Sequence, residues 1–474
     1  CINADYQYFI DNKQGEILYK TSQAPQSIAG TLQLLSDIFL HLFLGISVFV
    51  MLTTMSWKLV IIVIIAGLTY FYLIKEISTR ISYKAGKKQR DSGQKERVIV
   101  TEYTSGIKQI KVNETFDYWK DMFDKALDTF WFHHRRNFFW NKFPQLLLWM
   151  VIYSSIGIAI IIIKILYPGR FLSLLPLIGT FATGIFLVLP KIAQFGQFRM
   201  SFMSSMPNIE TVYDELKDEK YSKIKNGTEK FEKLKKGIFF KNVSFSHKER
   251  DILLKNINMD VKKDKTTALV GPSGTGKSTI VNLMLRLYDV DKGGVYIDGK
   301  NIKEYDIFSF LEKLGFVSQD TFIFNSSVKE NISFGREYSD DEIIDAAKKA
   351  NAHDFIKKLP EGYDTIVGDK GMRLSGGEQQ RVAIARAIIR KPEILFLDEA
   401  TSSLDTVSER MVQNAIDEVS KTCTTFLIAH RLSTVKNADT IHVLDDGKIV
   451  ESGSHKELLK KKGKYFELYQ TQEL

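Results

Sequence analysis

The sequence predicts an all-α transmembrane helical domain followed by an α/β P-loop NTPase domain. Three observations carry the prediction. The first two hundred residues hold four apolar runs, each near the roughly 20 residues that a helix needs to cross a bilayer. The rest of the chain reads as a soluble α/β domain. Within it, Gly271-Pro272-Ser273-Gly274-Thr275-Gly276-Lys277-Ser278 fits the pattern G-x-x-x-x-G-K-[ST], between an apolar strand (Thr267–Val270) and a helical pattern (Thr279–Leu283).

The apolar runs extend from about Ile28 to Thr53, Leu59 to Ile77, Gln145 to Leu166 and Phe171 to Phe195. Ile61–Ile65 and Ile158–Ile163 are apolar all round, which a helix on the surface of a soluble core is not. The links Met55–Lys58 and Tyr167–Arg170 are short, whereas the segment joining the second and third runs is long and charged. That segment carries Arg80, Lys84, Lys87, Lys88, Arg90, Lys95, Arg97, Lys108 and Lys111. Such a cation excess marks a cytoplasmic loop, so the short links face outward. Phe130–Arg136, aromatics followed by cations, reads as an interface anchor where the chain re-enters the membrane.

The same placement accounts for the net charge of +9. No basic stripe interleaves with stacking aromatics, so nucleic acid is not an expected partner. The two cysteines, Cys1 and Cys423, offer no metal-ligand spacing, and Cys423 precedes an apolar strand as a core thiol would. Charged residues from about 206 to 235 read as a linker. The expected domains are therefore 1–205 (membrane), 206–235 (linker) and 236–474 (nucleotide-binding).

In the P-loop pattern, glycines let backbone N–H groups curl around phosphate oxygens, and the following helix directs its positive end at them. Gly271, Pro272, Ser273, Gly274, Thr275, Gly276, Lys277, Ser278 and Thr279 are thus candidate ATP contacts. Lys277 is placed for the β- and γ-phosphates and Ser278 for Mg²⁺.

Further motifs follow. Leu374-Ser375-Gly376-Gly377-Glu378-Gln379-Gln380-Arg381 precedes Ile394-Leu395-Phe396-Leu397-Asp398-Glu399. With them, the chain resembles the ATP-binding cassette (ABC) family over roughly 236–474. Gln319 resembles its Q-loop, Ser402 to Asp405 its D-loop, and His430 its switch histidine. The resemblance implies that Gln319, Ser278 and Asp398 hold Mg²⁺, directly or through water. It implies that Glu399 orients or deprotonates the attacking water, that His430 senses the γ-phosphate, and that Ser402 and Asp405 communicate across a dimer. Ser375, Gly376, Gly377 and Glu378 of one subunit would close over ATP held by the other.

Four spans fused to such a domain resemble the exporter branch of the family, which has six membrane helices per half. The chain then begins near the inner end of the second helix. The implied assembly is two half-transporters, most simply a homodimer, with a heterodimer left open, in the cell membrane with the ATPase domain cytoplasmic. Residues around Asn12–Leu18 and Glu114–Trp119 would be its coupling segments.

Three departures from the family pattern stand out. His247 occupies the position of an adenine-stacking aromatic, Ile366 that of a usual Glu, and Glu378 that of a usual Gln. For the cargo there is one pointer. Lys191, Gln194, Phe195, Phe198 and Arg199 share a helical face, suited to an anionic or amphipathic substrate if it lines a cavity and to snorkelling otherwise. The expected function is ATP-driven export or flipping of a lipid, lipid-linked oligosaccharide, drug or peptide; the alternative is an ATP-gated channel or regulatory subunit.

Overall fold

The computed structural model describes residues 4–55, 57–166, 168–217, 224–247, 252–398, 406–429 and 435–473. It forms two compact units, Cys1–Ser222 and Lys223–Leu474.

The first unit is helical: α1 (Tyr6–Asp11), α2 (Gln14–Leu18), α3 (Ala24–Met55), α4 (Trp57–Ile77), α5 (Tyr83–Ser105), α6 (Ile107–Val112), α7 (Phe116–Leu166) and α8 (Phe171–Leu216). The four apolar runs fall on α3, α4, α7 and α8. Among the described residues, Gln14–Ser47 is the one stretch that by itself is long and apolar enough to cross a membrane. Phe43, Tyr72, Ile161 and Ile165 point their apolar side chains outward. That arrangement is stable when the surrounding solvent is hydrocarbon.

Away from the apolar runs the helices pack through polar side chains. Tyr19 Oη donates to Asn208 Oδ1 (3.0 Å), and Asn208 Nδ2 donates to Ser27 Oγ (3.0 Å). Asn137 Nδ2 donates to Gln89 Oε1 (2.6 Å), and Lys20 pairs with Glu215 at 2.8 Å, both groups largely shielded. Close approach makes this possible: a Cβ on Gly86 of α5 would lie 1.9 Å from the Ser204 carbonyl oxygen of α8.

Two sequence expectations shift. The short helix between α5 and α7 is Ile107–Val112, set off by Gly106 before it and by Glu114 at φ 53° after it. Phe116–Trp119, expected as part of a coupling segment, is instead the first turn of the 51-residue α7. The expected linker also divides. Its first part continues α8 to Leu216, and the stretch after residue 223 is built into the second unit. There the buried Arg286 donates to the carbonyls of Tyr305 and Lys225, Asn226 caps Ile307, and Phe231 and Leu234 enter the core.

The second unit carries two sheets. An antiparallel sheet has the order β2-β1-β4-β5, from β1 (Gly237–Ser246), β2 (Ile252–Lys262), β4 (Lys292–Ile297) and β5 (Lys300–Asn301). The other has the order β10-β9-β3-β8-β7-β6, from β3 (Thr266–Val270), β6 (Leu314–Val317), β7 (Ile394–Asp398), β8 (Thr424–Ile428), β9 (Thr440–Asp445) and β10 (Lys448–Gly453). Its strands are parallel except β10 at one edge. Strands β7 and β8 are buried throughout, the continuous apolar pattern of a sheet covered on both faces. Helix α9 (Lys277–Met284) follows β3. Helices α10 (Ile307–Glu312), α11 (Val328–Ser333), α12 (Asp340–Lys349), α13 (His353–Ile356) and α14 (Gly376–Ile388) lie between β5 and β7 in sequence. Cys423 is buried, and burial pushes its thiol up to about 11.

Gly86→Ala is expected to destabilise the helical unit by about 2 kcal/mol or more, because a backbone carbonyl cannot yield to a methyl. Gly30→Ala, with nothing within 4 Å of the added carbon, should be neutral or stabilising. Thermal unfolding of the detergent-solubilised protein distinguishes the two.

Candidate functional site

Strand register brings the candidate nucleotide-site residues together. Leu269 on β3 and Asp398 on β7 are both level with Ile428 on β8, which lies between them. Val317 on β6 is level with Leu397. Gly271, Gln319 and Asp398 therefore leave the sheet at one edge, the carboxyl ends of parallel strands, where open α/β sheets bind ligands. Neighbouring strands stand about 4.8 Å apart, so the loop and the Asp398 strand are separated by about 10 Å.

The loop between β3 and α9 is fixed by its own chemistry. Gly274 at φ 80° and Gly276 at φ 103° take left-handed conformations open to glycine, and Gly276 is the N-cap of α9. A Cβ on Gly276 would also lie 2.8 Å from Leu254 Cδ2. Thr275 Oγ1 donates to the Pro272 carbonyl at 2.9 Å. The buried Lys277 ammonium donates to the carbonyls of Gly271 and Pro272, each at 2.9 Å, so the cation lies across the loop that it serves. The result is a ring of backbone at the positive end of a helix, which suits an anion. Ser278 is exposed beside it, while Thr279 is buried. A hydroxyl at Ser278, a carboxylate at Asp398 and an amide oxygen at Gln319 are hard oxygen donors, the chemistry that Mg²⁺ takes. Glu399, Ser402, Asp405 and His430 lie outside the described residues.

Ser375 and Gly376 stand exposed at the start of α14, with Gly377 buried behind them. Ser375 is the N-cap, and Glu378 closes a reciprocal capping box by accepting from Ser375 N and Oγ at 2.8 Å each. Glu378 thus performs the local task that a Gln could also perform. Among the described residues these four make no hydrogen bond to the 271–278 loop; Ser375 and Glu378 bond to each other.

His247 stands edge-on to Phe245 (centroids 5.0 Å) and to Tyr288 (5.5 Å). Tyr288 is buried, so His247 is the member of this cluster with an accessible surface. Ile366 is exposed, its carbonyl accepting from Arg373 at 3.0 Å.

In the helical unit, the face of α8 singled out in the sequence meets two cavities. Lys191, Phe195 and Arg199 line one of about 460 Å³, and Gln194, Phe195 and Phe198 line a neighbour of about 150 Å³. Sequence reasoning did not find His41 and Tyr70, which other helices bring to them, or Ser78, which accepts from Arg199. A histidine inside an apolar run was the available signal.

Comparison with known proteins accords with both units. Residues 1–165 match the family model of the ABC transporter transmembrane region, and residues 254–402 match the ABC transporter model. The heterocyst differentiation ATP-binding protein HepA of Nostoc sp. is 34% identical over 98% of this chain and 76% of its own length. The chain belongs to the ABC transporter family. This transporter is also 50% identical to the ATP-dependent lipid A-core flippase of Haemophilus influenzae, over 52% of this chain and 43% of that one. It is 49% identical to a putative multidrug export ATP-binding/permease protein of Staphylococcus aureus, over 55% of this chain and 46% of that one. The chain thus spans under half the length of these two relatives. A solved bacterial Atm1-family ABC exporter with ATP bound matches it with TM-score 0.83 at 27% identity, over 99% of this chain and 82% of that one. The ABC transporter is accordingly an integral membrane protein of exporter fold.

Glu378→Ala should cost about 1 kcal/mol at the start of α14, seen as roughly fivefold faster amide exchange in its first turn, whereas Glu378→Gln should leave exchange unchanged. His247→Tyr should tighten ATP binding by roughly two- to tenfold through a larger stacking face. Unchanged affinity in a nucleotide titration would mean that another residue stacks.

Proposed function

We propose that this chain is one half of a dimeric exporter in which ATP binding and hydrolysis drive an amphipathic substrate across the cell membrane. The observation that carries the reading is the strand register. It brings the phosphate loop, Gln319 and Asp398 to one edge of a sheet. The names of relatives, a lipid A-core flippase and a putative multidrug exporter, support the direction of transport and an amphipathic cargo.

Phosphoryl transfer to water needs mainly positioning and charge neutralisation. The loop amides and Lys277 hold the β- and γ-phosphates. Ser278, Asp398 and Gln319 would hold Mg²⁺, which neutralises phosphate charge when bound. Glu399 orients the attacking water and accepts its proton. His430 contacts the γ-phosphate region. The exposed start of α14 supplies Ser375, Gly376 and Gly377 to ATP on a second subunit, so two copies close around two nucleotides. ATP joins the ATPase domains and its hydrolysis releases them. The helical units respond by switching between inward and outward access, a two-state element biased by ligand.

The test is ATP-dependent movement of a fluorescent lipid, a lipid-linked sugar and a hydrophobic dye in proteoliposomes. Glu399→Gln is expected to bind ATP and dimerise yet hydrolyse it at least about a hundredfold more slowly, and to move none of the three. Near-normal turnover in that variant would remove Glu399 from its role. Failure of the wild type to move any of the three while consuming ATP would overturn the amphipathic cargo.

A further inference from the structure

The larger cavity in the helical unit is walled by α3, α4 and α8 and divides by polarity. Ile46, Phe49, Leu68 and Phe71 give it an apolar side, and Lys191 and Arg199 bring two cations to the other. These two lie two turns apart on α8, about 12 Å along its axis, near enough for long side chains to serve one ligand.

Neither cation behaves as a snorkelling side chain. Lys191 Nζ lies 3.3 Å from His41 Nδ1 on a different helix. An ammonium has only donors, so in this contact the imidazole nitrogen is the acceptor. Arg199 is braced in turn: its Nε donates to Ser78 Oγ at 2.9 Å. Ser78 is fully buried in a π-helical turn, Ser78–Ser82, between α4 and α5. Among the described residues, the two terminal guanidinium nitrogens of Arg199 have no protein acceptor, and no carboxylate lines the cavity.

A second observation points to a ligand. The Tyr70 hydroxyl is buried in the wall of this cavity, over Gly196, with no hydrogen-bond partner. The neighbouring cavity shares His41 and Phe195 and adds Gln194, Gln197 and Ser201, and Gln194 Oε1 is likewise buried and unpartnered. Burying such groups costs free energy unless something completes their bonds.

Lys191 stands 20 residues from the outer start of α8, about 30 Å along the axis and so at the inner border of an apolar span. Polar and cationic groups lie there, beside an apolar slot. Resting on the exporter reading above, we propose that the cargo is a lipid with an anionic headgroup. Lys191, Arg199, Tyr70 and the Gln194 side bind the headgroup, and the slot along α3 and α4 takes part of the chain.

The test compares dansyl-labelled phosphatidate with dansyl-labelled diacylglycerol of identical chains. Binding is measured without nucleotide, by fluorescence of the detergent-solubilised protein. Movement is measured with ATP in proteoliposomes. Wild type is expected to prefer phosphatidate. The double variant Lys191→Gln/Arg199→Gln should lose about tenfold or more of that preference, while diacylglycerol binding stays as it was. Lys191→Arg should retain the preference, which separates loss of charge from misfolding. Equal binding of the two lipids by wild type, or an unchanged preference in the double variant, would overturn the proposal whatever moves with ATP. Charge-dependent binding without any ATP-dependent movement would overturn transport of this lipid and count against the exporter reading instead.

Discussion

The backbone ladder of the parallel sheet is the constraint on which the rest depends. Hydrogen bonds between β3, β8, β7 and β6 hold four strands to a common level, and that level decides which residues leave the edge together. A slip of one residue in β7 would turn Asp398 to the other face of the sheet and bring Leu397 to the edge. Apolar burial on both sides makes such a slip costly. Phe396 and Phe426, on adjacent strands, face one core, while Leu395, Leu397 and Leu427 face another. The residues at the edge are thus positioned by side chains buried in the two cores.

The helical unit is held by a different balance. Where its surface is apolar, burial of apolar groups from water cannot be the main force between helices, because the surrounding lipid is equally apolar. Close backbone contact and side-chain hydrogen bonds carry the packing instead. Gly86 against Ser204, Tyr19 with Asn208 and Ser27, and Asn137 with Gln89 are of this kind. They fix α3, α5, α7 and α8 as one body.

What the sequence revealed follows from how far its signals reach along the chain. The loop at 271–278 was legible because its glycines, lysine and serine are contiguous and its flanking strand and helix adjoin it. The long membrane helices were legible because apolar runs of that length have few other uses. The short helix at Ile107–Val112 was misplaced to the aromatic-rich Glu114–Trp119, since bulk and exposure there suggested a contact surface, whereas the backbone breaks at Gly106 and Glu114 set the boundaries. The role of Arg286 in tying the 224–235 stretch to its unit had no signal, because its acceptors are backbone carbonyls far away in sequence. Likewise His41 meets Lys191, Ser78 meets Arg199 and Tyr70 meets Gly196 only through the packing of the helices. Glu399, Ser402, Asp405 and His430 rest on the motif pattern and the position of the strands that precede them.

The turn at Ser78–Ser82 has a consequence for how this chain can vary. A π-helical turn is an ordinary helix with one residue too many, and each helical residue turns the axis by about 100°. The lower part of the α4–α5 rod is thereby out of phase with the upper part. Its inward-facing positions meet α7 and α8 with that offset in place. Removing a single residue here would mend the helix locally and yet rotate every side chain downstream, taking Gly86 away from Ser204 and Gln89 away from Asn137. The irregular turn and the polar interior below it are therefore one geometric unit, and neither can change length without the other.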